Sequence, residues 1–191
     1  MKNIAASAAI ASSLAGAVMA ADAENLLIIE IAGEANGVVE IELLPEQAPL
    51  HVERIRGLAR DGSYDNVVFH RVIEGFMAQT GDVQFGKKDG GELNFAGRGG
   101  SDAPDLPAEF SDVPYERGIV GMARAQHPDS ANSQFFIMFA PAPFLNGQYT
   151  VVGKVITGQE IVDAIKRGDP NANGLVTDPD YMARVTIGAS Q

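Results

Sequence analysis

The chain contains no cysteine. That excludes disulfides, thiolate nucleophiles and cysteine-based zinc sites together. It also has no tryptophan and only three histidines among its 191 residues. His51, His70 and His127 show no metal-ligand spacing, and no carboxylate joins them in a short motif, so neither a metal nor another cofactor is expected. Basic residues are scarce as well, with 14 Lys and Arg against 25 Asp and Glu and a formal net charge of −11. The longest basic cluster is Lys87-Lys88. Such a chain repels phosphate backbones and anionic lipid, so neither nucleic acid nor a membrane surface is an expected partner.

What remains is ordinary for a stable globular domain: 46% hydrophobic and 20% charged residues. One domain is enough to account for the length, and it is expected to act as a monomer. Residues 1–20 read apart from it. Lys2 and the amino terminus form a short basic start, Ile4 to Val18 is apolar or small without charge, and Val18-Met19-Ala20 suits signal peptidase. The stretch is too short and alanine-rich for a membrane span. The expectation is export, to the periplasm or beyond, with cleavage after Ala20 or after Ala23 and a mature domain over 21–191. Cleavage after Ala20 removes one lysine and no acid, taking the net charge from −11 to −12.

Beyond the leader the pattern turns to strands. Leu26 to Ile31 and Val38 to Leu43 flank a turn at Glu34 to Gly37 and predict a hairpin. Apolar residues Val52, Ile55, Leu58 and Ala59 predict a helix over Pro49 to Ala59. Short β-like runs follow at Val67 to Ile73, Phe76 to Thr80, Gly118 to Arg124, Ser133 to Phe139 and Thr150 to Val155. A second helix is predicted over Gln159 to Arg167 and a last strand over Met182 to Ile187. The Gly/Pro/Asp-rich stretch from Phe85 to Pro114 reads as functional or capping loops. Many short strands with two helices predict a mostly β protein, a closed antiparallel barrel capped by helices.

Two motifs tempt. Gly81 to Lys88 is one residue short of a phosphate-binding loop, but Lys88 stands where Ser or Thr must hold magnesium, and Asp89-Gly90-Gly91 cannot open a helix. Asp169 to Asp180 has the span of a calcium loop, yet only those two acids fall at charged ligand positions and Pro170 stiffens the entry. Both read as polar turns. No Gly-x-Ser-x-Gly elbow is present.

One reaction needs neither metal nor nucleophile. Rotation about an X–Pro bond is held up by about 18–20 kcal/mol of lost amide resonance. A fixed donor aimed at the proline nitrogen favours the twisted state, in which that lone pair localises, over the planar one. The run Phe69-His70-Arg71-Val72-Ile73-Glu74-Gly75-Phe76-Met77-Ala78-Gln79-Thr80-Gly81-Asp82 closely resembles the signature of cyclophilins. So do Gly118 to Ala123 with Ser133-Gln134-Phe135-Phe136-Ile137, and Phe144-Leu145-Asn146-Gly147 with Gly153-Lys154-Val155. The resemblance covers nearly all of the mature chain.

It implies an eight-stranded cyclophilin-like barrel with peptidyl-prolyl isomerase activity on proline-containing segments of folding or exported proteins. Arg71 becomes the catalytic donor. Gln79 and Gln134 bind substrate carbonyls and orient Arg71. Phe76, Met77, Phe136 and Leu145 line the proline pocket, and Ala123 and Arg124 meet the peptide mainly through backbone. Three positions depart from the common pattern: Phe144 stands for tryptophan, Tyr149 for histidine at the pocket rim and Arg124 for asparagine. Loss of an indole donor weakens the expectation of cyclosporin binding, not of isomerisation. His70 falls on the opposite strand face from Arg71 and reads as structural. A ligand-binding lipocalin barrel is the rival all-β reading, but its early Gly-x-Trp motif cannot occur in a chain without tryptophan.

Overall fold

The computed structural model describes residues 23–188; the leader and the cleavage site after Ala20 lie outside them. The first hairpin is β1 (Leu26–Ala32) and β2 (Gly37–Leu43), paired antiparallel from Leu26↔Glu42 to Ile31↔Gly37. Helix α1 (Pro49–Arg60) follows. The sheet continues with β3 (Val67–Val68), β4 (Arg71–Ile73), β5 (Met77–Thr80), β6 (Ile119–Met122), β7 (Phe135–Met138) and β8 (Val151–Thr157). Helix α2 (Gln159–Ala164) and β9 (Tyr181–Ile187) complete it.

The strand order is β3-β9-β1-β2-β8-β6-β7-β5-β4, and each neighbouring pair is antiparallel. Its two ends, β3 and β4, are pieces of one segment broken only at Phe69 and His70. The sheet therefore curls until residues 67–73 close it, β3 bonding β9 and β4 bonding β5. Nine strand pieces thus form an eight-position barrel, as the resemblance implied. The break is where the Phe69 N–H turns to Asp180 O and the His70 carbonyl accepts from Val176.

Alternation along β7 divides the interior. Phe135 and Ile137 join the main core with Ile29, Ile41, Val52, Ile55 and Val162, inside the barrel and under the helices. Phe136 and Met138 face the other way, into a second cluster with Met77, Tyr115, Leu145 and Val151. That cluster floors the site described below.

The helices depend on distant residues at their ends. Ala48 offers α1 no side-chain cap. Glu109 supplies one from the long loop, its carboxylate accepting from Leu50 N–H at 3.2 Å, His51 N–H at 3.1 Å and the His51 ring at 2.6 Å. Helix α2 stops at Ala164, three residues before the Arg167 expected from sequence. Ile165 turns extended so that Lys166 N–H can reach Asp180 Oδ2 at 2.8 Å and Gly168 N–H the Val72 carbonyl at 2.9 Å. Apolar periodicity cannot register such competing partners.

Both tempting motifs prove to be scaffolding. Lys87 directs its ammonium to the carbonyls of Ser63 and Asp65, each at 2.6 Å. Asp169 caps the short turn Pro170–Ala172. Asp180 is buried and accepts from three backbone N–H groups, of Glu34 (2.5 Å), Ala35 (3.2 Å) and Lys166 (2.8 Å). Gly33 leaves the room for it: a Cβ there would stand 2.1 Å from Asp180 Oδ1.

Candidate active site

Arg71, Gln79, Phe136 and Gly121 form one row across four strands, paired Arg71↔Gln79, Gln79↔Phe136 and Gly121↔Phe136. Directly paired residues point to the same sheet face, so the register alone sets a guanidinium, an amide and an aromatic ring side by side. Gly121 has to be bare. A Cβ there would meet Tyr115 Oη at 2.4 Å and Phe136 Cζ at 2.7 Å, which would break the stack of Tyr115 on Phe136, whose ring centroids lie 5.8 Å apart.

The row floors a groove of about 480 Å³. Phe76, Met77, Phe136, Phe144, Leu145 and Tyr149 furnish its apolar surface; Arg71, Gln79, Ala123 and Arg124 border it. All eight residues expected to bind substrate therefore stand in one groove with the expected donor. Tyr149 meets Phe136 edge-on at 5.8 Å and Phe144 packs on Phe76 at 5.6 Å. Phe144 remains 70% exposed, a rim residue rather than a buried wall.

Arg71 is half-buried and held from two sides. Its Nη1 donates to Gln79 Oε1 at 3.2 Å; on the other edge Nε donates to Asn173 O at 3.1 Å and Nη2 to Asn173 Oδ1 at 3.0 Å. Of the five N–H bonds of a guanidinium, these take three. The second Nη1 hydrogen has only Met77 Sδ at 4.0 Å, a weak acceptor that a better one displaces, and one Nη2 hydrogen has no partner in the described chain. Burial draws the guanidinium below its ordinary pKa, with Tyr149 opposing the shift, and the group stays charged at neutral pH.

The polar relay runs on from Gln79. Because its Oε1 must accept from Arg71, its Nε2 faces Gln134 Oε1 at 2.9 Å, and Gln134 Nε2 in turn donates to Gly99 O at 2.8 Å. Arg71 thereby sets the orientation of both amides. Gln134 lies outside the apolar groove, in an adjoining cavity of about 500 Å³ that also touches Gln79, Ala123 and Arg124. The loop over this cavity hangs on buried Asp82, whose Oδ2 accepts from Gly97 N–H at 2.7 Å and Gly99 N–H at 2.9 Å.

The Arg124 side chain is itself engaged. Its guanidinium donates to the carbonyls of Gln148 (2.9 Å), Ala125 (2.9 Å) and Gln126 (3.1 Å) and lies 4.5 Å from the Tyr149 ring centroid. Two of the three positions at which the sequence leaves the common pattern, Arg124 and Tyr149, thus meet as a cation–π pair. The Ala123 N–H, for its part, is already bonded to Gln134 O at 2.9 Å.

Asn173 is a site residue that sequence reasoning missed. Asn173-Gly174 signals a left-handed turn, and the φ of 54° agrees. Nothing local announces that this turn reaches Arg71, 102 residues earlier. Gln148, which also lines the groove, was missed too.

Comparison with known proteins gives a consistent result. The family model described as cyclophilin type peptidyl-prolyl cis-trans isomerase/CLD matches residues 26–187. A protein of Brucella suis biovar 1, named as a probable peptidyl-prolyl cis-trans isomerase, is 56% identical over 97% of this chain and 95% of its own length. Among solved structures, cyclophilin AquaCyp293 from Hirschia baltica aligns with a TM-score of 0.70 at 27% identity, covering 87% of this chain and 74% of that one. A cyclophilin type peptidyl-prolyl cis-trans isomerase of Cryptosporidium parvum, crystallised in the presence of the dipeptide Ala-Pro, aligns with a TM-score of 0.72 at 28% identity, over 86% of this chain and 99% of that one.

Proposed function

The chain belongs to the cyclophilin-type peptidyl-prolyl cis-trans isomerases, and from that premise we propose that Arg71 carries the reaction by donating to the proline nitrogen as the X–Pro bond twists. The proline ring sits on Phe136, Met77 and Leu145. Twisting pyramidalises the nitrogen and localises its lone pair, and the unpartnered Nη hydrogen of Arg71 meets that lone pair only then, so the contact lowers the barrier without deepening the ground state. Gln79 and Asn173 hold the guanidinium against rotation, and Gln79 with Gln134 accommodates the peptide carbonyls on either side. The observation that carries this reading is a guanidinium clamped by three hydrogen bonds at the edge of an apolar groove, with N–H groups left to face it.

The substrates are X–Pro segments of unfolded or folding proteins, as the Ala-Pro dipeptide used with the C. parvum relative suggests. The basic-then-apolar start of the chain supports a role among exported proteins. Amino-terminal sequencing of protein from its native host is expected to begin at Ala21 or Glu24; Met1 retained on the functional protein overturns export.

Arg71→Ala tests the mechanism. By analogy with removal of one transition-state donor, kcat/KM is expected to fall by on the order of 10²–10³, or about 2.7–4 kcal/mol. Arg71→Lys recovers little, since an ammonium cannot be held in the same planar geometry. A folded Arg71→Ala protein with wild-type rate removes Arg71 from the mechanism. A wild-type protein that binds proline peptides without isomerising them is a binding module.

A further inference from the structure

The apolar groove and the adjoining cavity are continuous through Gln79, Ala123 and Arg124. Their charged lining is Arg71, Arg98 and Arg124 against one carboxylate, Asp105. The rest of the chain has the opposite sign, with 25 acidic and 14 basic residues in all. Elsewhere Arg56, Arg60, Arg117 and Arg167 each pair with a carboxylate, whereas among the described residues no ion pair involves Arg71, Arg98 or Arg124. Arg98 is exposed and lies only against the Phe95 ring, 5.7 Å from its centroid. The partners of Arg124 are neutral carbonyls, which fix its position but leave its charge uncompensated. Asp105 is itself engaged, its Oδ1 accepting from Asn132 Nδ2 at 3.0 Å.

A trough of one sign in a surface of the other focuses the local field and attracts ligands of complementary charge. Resting on the reading of this groove as the peptide site, we infer that the enzyme selects X–Pro segments with an acidic side chain within about three residues of the proline. The proline fills the apolar end, and the chain running from it over Ala123 brings a neighbouring carboxylate to Arg98 and Arg124. These two arginines are specificity-determining: they act on which segment is taken up, not on the bond that rotates. Both are solvent-facing in part, so the gain is that of exposed ion pairs and not of a buried one.

The test is a set of proline peptides carrying Glu, Gln or Lys two residues before or two residues after the X–Pro bond. Rates are read by NMR exchange, which needs no coupling protease with preferences of its own. In low salt kcat/KM is expected to fall in the order Glu, Gln, Lys for at least one placement, with a Glu-to-Lys ratio of about three- to tenfold. That ratio contracts toward one as salt shortens the screening length from about 10 Å at 0.1 M to about 3 Å at 1 M. Arg98→Glu is expected to bring the ratio to one or invert it, with melting temperature as the check on folding. The salt series on wild-type protein stands even if that variant misfolds. Equal rates for all three side chains at both placements, a preference for Lys, or a Glu preference indifferent to salt overturns the inference. Failure to isomerise any of the peptides strikes instead at the isomerase reading beneath it.

Discussion

Asn173 holds Arg71 by two hydrogen bonds, one to its carbonyl at 3.1 Å and one to its side-chain oxygen at 3.0 Å, from a left-handed turn with φ of 54°. The two contacts lock rotation of the guanidinium about its own stem. A donor that must meet a transient lone pair gains from such restraint, because it has no orientation to lose when the bond twists.

Asn173→Gly separates the two contacts. Glycine keeps the positive φ and the carbonyl but removes Oδ1. The expectation is a loss of about three- to tenfold in kcat with KM little changed, in line with one charge-assisted hydrogen bond. Asn173→Asp, which restores an acceptor, is expected to recover most of it. Steady-state kinetics on the three proteins decide; a loss confined to KM places Asn173 in binding instead.

Asp180 is a matter of stability. With its carboxylate removed, the buried N–H of Ala35 and the partly buried N–H groups of Glu34 and Lys166 lose their acceptor together. Asp180→Ala is expected to cost at least about 3 kcal/mol, or roughly 6–12 °C in Tm. Since both its oxygens already serve backbone amides, millimolar calcium is expected to leave the wild-type Tm unmoved; a rise of several degrees reveals an ion bound to the folded state.

His70 makes stability depend on pH. Burial pulls its pKa from 6.5 down to about 4, with Asp82 opposing and Arg71 reinforcing the shift. Between those values the unfolded chain binds the proton that the folded one refuses, so stability is full above about pH 6.5 and declines as pH falls toward 4. The whole span is worth about 3 kcal/mol. His70→Gln is expected to flatten the wild-type slope of unfolding free energy across that window; parallel curves for the two proteins refute the assignment.

The run around Arg71 and the two later blocks were legible because their chemistry is local. Strand alternation puts Met77 and Gln79 on one face without knowledge of any partner strand, and a motif read along the chain carries its residue types with it. The same local logic placed the hairpin and α1 within a residue or two. What only the tertiary structure decided were relations between residues that the chain brings together from afar. The register Arg71↔Gln79↔Phe136 joins two separate motifs into one floor. Asn173 closes on Arg71, Arg124 stacks on Tyr149, and Glu109 caps a helix nearly 60 residues before it. Such contacts depend on which loops the closed barrel sets side by side. Asn, Arg and Glu in loops carry no periodicity that would announce the partner, because their hydrogen bonds could be made equally well to water until the fold excludes it.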